Sequence, residues 1–151
     1  IRSWRARFDL DEDYVYAILN PGEDAVLGGS GLHTRAGEQA LEIGYWIRAG
    51  QINQGLATEA AGALTRAAFE INRVQRVEIH CDPANVRSAA VPGKLGFVHE
   101  ATLRQRILDP GSEPRDTMIW MIWTLLDGEY PGSPAASAVI KAFDAIGQRI
   151  L

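Results

Sequence analysis

Glu42-Ile43-Gly44-Tyr45-Trp46-Ile47, followed shortly by Gln51-Ile52-Asn53-Gln54-Gly55-Leu56-Ala57-Thr58, decides how this chain folds. The first half lies in the run Ala40–Arg48, where Leu41, Ile43, Tyr45 and Ile47 alternate onto one face, as in a β-strand. The second half is a glycine-containing loop. After it, Leu56, Ala60, Leu64, Ala67, Ala68 and Ile71 recur at helical spacing, which predicts a helix to about Asn72. Arg76–His80 alternates again, with Val77 and Ile79 inward. Strand, helix and strand in this order need a crossover, and so a locally parallel pair.

The loop also suggests chemistry. Backbone N–H groups at a helix start have no intrahelical partner, and the helix dipole adds partial positive charge there. Gly55 carries no side chain, so a phosphate can approach the main chain, and the site suits a pyrophosphate. The plainer alternative is a loop that turns a strand into a helix and binds nothing. Gly-Lys-Ser/Thr is absent, so this is no Walker loop, and the spaced glycines of a dinucleotide fingerprint are missing.

Outward from this centre the pattern continues on both sides. Ile1, Trp4 and Phe8 suggest the end of an amphipathic helix. Tyr14–Leu19 and Ala25–His33 read as strands around the turn Asn20-Pro21-Gly22. Gly28, Gly29 and Gly31 weaken the second strand and hint at a bulge or a close backbone approach. Arg35–Glu38 reads as a polar turn. Asp82–Asn85 is a turn with capping chemistry, and a short helix follows from Val86 to about Leu95, stopped by Gly96. Pro92 inside it costs about 3 kcal/mol, so this helix should be short or kinked. Phe97–Thr102 and Thr117–Leu126 read as an antiparallel pair joined by Asp109–Pro114. Gly128–Pro134 breaks the pattern. Val139, Ala142, Phe143 and Ile146 then predict a helix within Ala135–Leu151, packed on the same domain.

Composition narrows the class. The 151 residues fit one domain, and 46% hydrophobic with 23% charged is ordinary for a globular chain. The net charge is −4 and no block of Lys and Arg occurs, which argues against nucleic acid as a partner. Three His and one Cys are too few for a metal cluster, so no metal is expected. Cys81 alone cannot form an internal disulfide, which fits a reducing, cytoplasmic setting. No apolar run is long enough for a membrane span, and no signal peptide is expected. Ile1 in place of Met reads as a processed or trimmed product.

Four motifs in order carry a resemblance. They are Glu42–Ile47; Asn53-Gln54-Gly55-Leu56-Ala57-Thr58-Glu59-Ala60; Cys81-Asp82-Pro83-Ala84-Asn85-Val86-Arg87-Ser88; and Lys94-Leu95-Gly96-Phe97. Arg115-Asp116 before the last strand also fits. Together they resemble the GNAT superfamily of N-acetyltransferases over roughly Tyr14 to Trp123, closest to the RimJ/RimL type that acetylates ribosomal-protein N-termini.

The resemblance implies a mixed α/β (α+β) fold: a mostly antiparallel twisted sheet with a central parallel splayed pair and flanking helices. Residues 1–134 would form the GNAT domain, without the family's usual first strand and helix, and 135–151 a C-terminal helical extension. The absent elements usually wall one side of the acceptor cleft, and an exposed sheet edge favours a homodimer. Acetyl-CoA would be the acyl donor, and a protein N-terminus or small amine the acceptor. Asn53, Gln54, Gly55, Leu56, Ala57 and Thr58 would hold the pyrophosphate. The pantetheine arm would lie in the splay, with a backbone N–H near Trp46 or Ile47 polarising the thioester carbonyl.

Proton transfer is where the family pattern departs. Many members donate the leaving-group proton from a Tyr four residues ahead of Gly96, where this chain has Pro92. The RimL-like branch implies Ser88 as the acid instead; its plain reading is a residue lining the helix's first turn. Asn85 reads as a cap that in the family also contacts pantetheine. A base seen in some members falls here near Ile107, with no carboxylate. Glu42 is then the candidate base, against a surface or structural carboxylate on the strand's polar face; Asp116 is third, against a structural partner for Arg115 or Arg104, and a bound water would also suffice. Asn53 stands where Gly is usual. The alternative function is a non-catalytic acyl-CoA-binding module. His33, His80 and His99 read as polar niche fillers, Trp46, Trp120 and Trp123 as core, and Cys81 as a small buried filler.

Overall fold

The computed structural model describes residues 2–124, 130–143 and 147–151. Six strands form one sheet in the order β1-β2-β3-β4-β6-β5. They are β1 (Asp13–Leu19), β2 (Val26–His33), β3 (Ala40–Ile47), β4 (Arg76–Cys81), β5 (Val98–Ile107) and β6 (Arg115–Trp123). Three α-helices, α1 (Arg2–Asp9), α2 (Leu56–Glu70) and α3 (Val86–Lys94), and three short 3-10 turns complete the regular structure among the described residues. Every neighbouring strand pair is antiparallel except β3 and β4, which are parallel and joined by α2. The fold is therefore the mixed α/β arrangement that the strand–helix–strand order implies.

One core holds it together. Leu32, Leu41, Ile43, Val77, Ile79 and Ile122 from the sheet meet Ala61, Ala68 and Phe69 of α2 and Val91 of α3. The buried stripe of α2 is Ala61, Gly62, Thr65, Ala68 and Phe69, turned from the expected face, with which it shares Ala68. Ile71 stands 37% exposed. The reason is fit rather than hydrophobicity. A Cβ on Gly62 would lie 3.2 Å from Leu95 Cδ2, so small residues let the helices approach. Thr65 tolerates full burial because its hydroxyl donates to the Ala61 carbonyl at 2.7 Å.

The glycines of β2 serve close approach to β3, with which the register runs evenly from Gly28↔Ile47 to His33↔Glu42, while an irregularity of the expected kind lies on the β1 side, where Ile18↔Gly28 is followed by Leu19↔Val26. A Cβ on Gly29 would stand 2.5 Å from the Trp46 indole nitrogen. Trp46 lies over this gap and is 60% exposed, so it is not a core residue. β5 extends to Ile107, beyond its expected end. Leu125 and Leu126, expected to finish the last strand, lie outside the described residues.

The helix expected over Ala135–Leu151 does not form across the described residues. Pro134–Ser137 makes a 3-10 turn, Ala138 is extended, and Phe143 bridges Arg149 in antiparallel fashion. The apolar periodicity there has no surface to bury against: Val139 is 93% and Phe143 57% exposed. A short helix without such a surface is marginal. The part that does pack is Tyr130, whose ring centre lies 4.3 Å from that of Phe69, and Ala135.

Candidate active site

The site begins where β3 and β4 part. Their pairing runs from Ala40↔Arg76 to Ile43↔Ile79 and stops, although β3 continues to Ile47 and β4 to Cys81. On its other side β3 stays paired with β2 throughout. The Arg48 N–H reaches the Leu27 carbonyl on β2, and Ser30 Oγ donates to the Gly44 carbonyl at 2.9 Å. Strand alternation therefore turns the main-chain N–H groups of Tyr45 and Ile47 toward the opened side, and that of Trp46 away from it.

A cavity of about 470 Å³ occupies the opening and runs to the start of α2. Tyr45, Trp46 and Ile47 line one wall, Asn85 and Ser88 the other, and Asn53, Gly55, Leu56, Ala57 and Thr58 the far end. Gln54, expected with them, does not line it. Gly55 sits at φ +85° at the helix N-cap, where no side chain accepts from the first-turn N–H groups. Space would allow a side chain there, so the backbone angle is what calls for glycine. Asn53 adopts φ +62°, a left-handed conformation that Asn tolerates better than most residues. That explains how the loop keeps its shape without a glycine at this position.

Sequence reading missed Arg87, Val91 and Lys94 on the α3 wall. Their spacing of four and then three residues is a helical signal that could have found them. Arg87 and Lys94 are exposed cations on the wall of an anion-sized opening.

A second cavity lies beyond the first, lined in part by Arg35, Glu42, His80, Asp82 and Arg106. Asn85 and Ser88 line both cavities, so the two meet there. Asn85 caps α3: its side-chain oxygen accepts from the Ser88 N–H at 3.1 Å. Ser88 Oγ donates to the Tyr45 hydroxyl at 3.2 Å. Burial pushes the Tyr45 phenol up to about 12.

Glu42 is 6% exposed, so it is not a surface carboxylate. It accepts two hydrogen bonds from Arg35, at 2.8 and 2.6 Å, and lies 3.4 Å from His80 Nδ1. Glu78, its register partner on β4, is 5% exposed and meets His80 Nε2 and Arg76 Nε, each at 2.6 Å. His80 thus links two buried carboxylates and fills more than a polar niche. Asp116 is structural in another way than expected: Oδ1 accepts from the Gln105 N–H at 2.8 Å, where that residue has φ +51°. Arg115 pairs instead with Asp82 and Asp109. Cys81 is buried, which raises its thiol pKa.

A family model for the acetyltransferase (GNAT) domain matches residues 1–98. The chain belongs to the GNAT acetyltransferases. Among relatives, the Probable N-acetyltransferase YjcK of Bacillus subtilis is 28% identical over 109 residues, 71% of this chain and 60% of that protein. This GNAT chain therefore spans under two thirds of that relative. The GNAT-family acetyltransferase of Bacillus anthracis superposes with a TM-score of 0.66 at 28% identity, covering 72% of this chain and 65% of that one. Mycobacterium smegmatis RimJ, solved in complex with CoA-disulfide, gives a TM-score of 0.76 at 24% identity, covering 89% and 63%. At that identity the likeness speaks to the GNAT fold alone.

Proposed function

We propose that this chain transfers acetyl from acetyl-CoA to a primary amine, on a protein N-terminus or a small molecule, by direct attack in a ternary complex. The observation that carries the reading is the parting of β3 from β4 into a cavity that ends at the uncapped start of α2. The donors there suit coenzyme A. Unpaired N–H groups of Leu56, Ala57 and Thr58 answer a diphosphate, with Arg87 and Lys94 adding charge. The open edge of β3 answers the amide groups of a pantetheine arm, which pairs as an added strand.

The chemistry follows from what meets at Ser88. An amine entering from the second cavity attacks the thioester carbonyl, and the developing oxyanion is met by the Ile47 N–H. Collapse expels the CoA thiolate, which takes a proton from Ser88 as that hydroxyl turns from the Tyr45 oxygen, and Ser88 recovers a proton from the charged nitrogen of the intermediate as the amide forms. The amine first loses a proton. Glu42 is the proposed acceptor of that proton, directly or through His80 or water, although its two bonds to Arg35 hold it as an ion pair. Much of the rate gain is then alignment of a neutral amine with a thioester.

A protein acceptor is favoured by the likeness to a putative ribosomal-protein-serine acetyltransferase from Vibrio cholerae, which superposes with a TM-score of 0.70 at 27% identity, covering 81% of this chain and 70% of that one. A cytoplasmic location and a homodimer through the β1 edge accompany this reading. Calorimetry with CoA and with ATP tests the site: CoA is expected to bind and ATP to bind far more weakly. Acetyl-CoA consumption with a panel of amines tests the reaction. CoA binding without turnover on any amine supports the second reading, an acyl-CoA-binding module, which the Arg35–Glu42 pairing favours. Failure of CoA to bind at millimolar concentration overturns both.

A further inference from the structure

Pro92 leaves a defect beside the junction of the two cavities. α3 runs through Pro92 to Lys94, but proline has no N–H. The Ser88 carbonyl, four residues earlier, therefore lacks its α-helical donor. Tyr45 supplies one from a different element: its hydroxyl donates to the Ser88 carbonyl at 3.0 Å. A carbonyl has no hydrogen, so the phenol proton is committed there. The 3.2 Å contact between Ser88 Oγ and the phenol oxygen then has Ser88 as donor. One tyrosine thus grips both the main chain and the side chain of Ser88, and it does so across the opening between β3 and α3.

We propose that Tyr45 is a positioning residue that replaces the N–H missing at Pro92 and fixes the Ser88 hydroxyl at the meeting point of the two cavities. Its catalytic consequence rests on the acetyltransferase reading; its structural consequence does not. Tyr45 touches Ser88 rather than the reacting atoms, so its effect on the reaction is indirect. The phenol, with its pKa raised by burial, remains a donor at neutral pH.

Two cycles test it. In the first, Tyr45→Phe keeps the ring and removes the hydroxyl. It is expected to lower kcat about 10-fold while KM for acetyl-CoA changes less than about 2-fold. In a Ser88→Ala background the same change is expected to cost nothing further, because the group being positioned is gone. A wild-type kcat in Tyr45→Phe, or an equal loss in both backgrounds, overturns the proposal. The second cycle reads thermal melting and needs no activity. Pro92→Ala restores an N–H for the Ser88 carbonyl, and its packing loss is common to both backgrounds. It is expected to be more favourable to the melting temperature of Tyr45→Phe than to that of wild type. Equal shifts in the two backgrounds overturn the substitution argument. A chain that shows no acetyl transfer at all sinks the acetyltransferase reading and leaves this second cycle intact.

Discussion

The two halves of the β3–β4 pair share a sheet and divide its work. In the first half, Ala40–Ile43 pairs with Arg76–Ile79, and Leu41, Ile43, Val77 and Ile79 are each no more than 4% exposed. In the second half, Gly44–Ile47 leaves its neighbour, and Tyr45, Trp46 and Ile47 line a cavity. The first half satisfies its backbone within the sheet and buries apolar side chains. The second leaves backbone donors unpaired on one side and exposes Trp46. An unpaired strand edge is costly in a closed core and useful at an opening where a ligand can pair with it. Stability and function thus sit on the same strands, a few residues apart, and variants should separate them.

The largest effect is expected in the paired half. Ile79→Ala removes a side chain that is 1% exposed, and such truncations cost about 2–5 kcal/mol. Urea unfolding should show that loss, while CoA affinity, measured where the variant remains folded, stays close to wild type. A matching loss of CoA affinity would mean that the two halves are not separable. In the open half the expectation reverses. Ser88→Ala should lower kcat by about 100-fold, the low end for loss of a general acid, with the urea midpoint little changed. Wild-type turnover would remove Ser88 from the proposed role. Arg87→Ala with Lys94→Ala should act on binding alone. Exposed ion pairs contribute about 0.2–1 kcal/mol each, so CoA affinity should fall about 2- to 30-fold. The loss should shrink as salt is raised, because these cations are exposed. A loss that ignores salt would point to packing instead.

How much of this division was legible follows from the kind of signal each half emits. Alternation in Leu41, Ile43, Val77 and Ile79 marked the paired half directly, because period-two burial is written in residue type. Asn85 as a cap and Gly96 as a helix stop, at φ +86°, were legible for the same local reason. The opening was reached through a resemblance of motifs, since no residue type says that a strand will leave its neighbour. Tyr45 was read only as an inward-facing strand residue. Its partner lies 43 positions away, and the defect it mends is the absence of a hydrogen at Pro92. The α2 face was misjudged because Leu56, Leu64 and Ile71 outweigh Gly62 and Thr65 in the periodicity, although the small residues set how near the helix sits. The final segment was misjudged because periodicity cannot show whether a surface exists to receive it.

The smallest effect concerns the carboxylates on the polar face of the paired half. Glu78 is buried, which alone would raise its pKa, yet the hydrogen bond from His80 and the charge of Arg76 outweigh burial and hold it below the ordinary carboxylate value. The groups facing it are His80 and Arg76, with Glu42 and its partner Arg35 on the neighbouring strand. A carboxylate held below its unfolded pKa binds fewer protons when folded, so its contribution is complete above the unfolded value of about 4.3. It is lost as pH falls through the folded value. Glu78→Gln should therefore unfold at lower urea than wild type near pH 6, and the gap in midpoints should narrow as pH falls through the acid range below about 4. A gap that stays fixed across the range would mean that Glu78 ionises alike in folded and unfolded chains, and that the polar face of the paired half is held by packing rather than by charge.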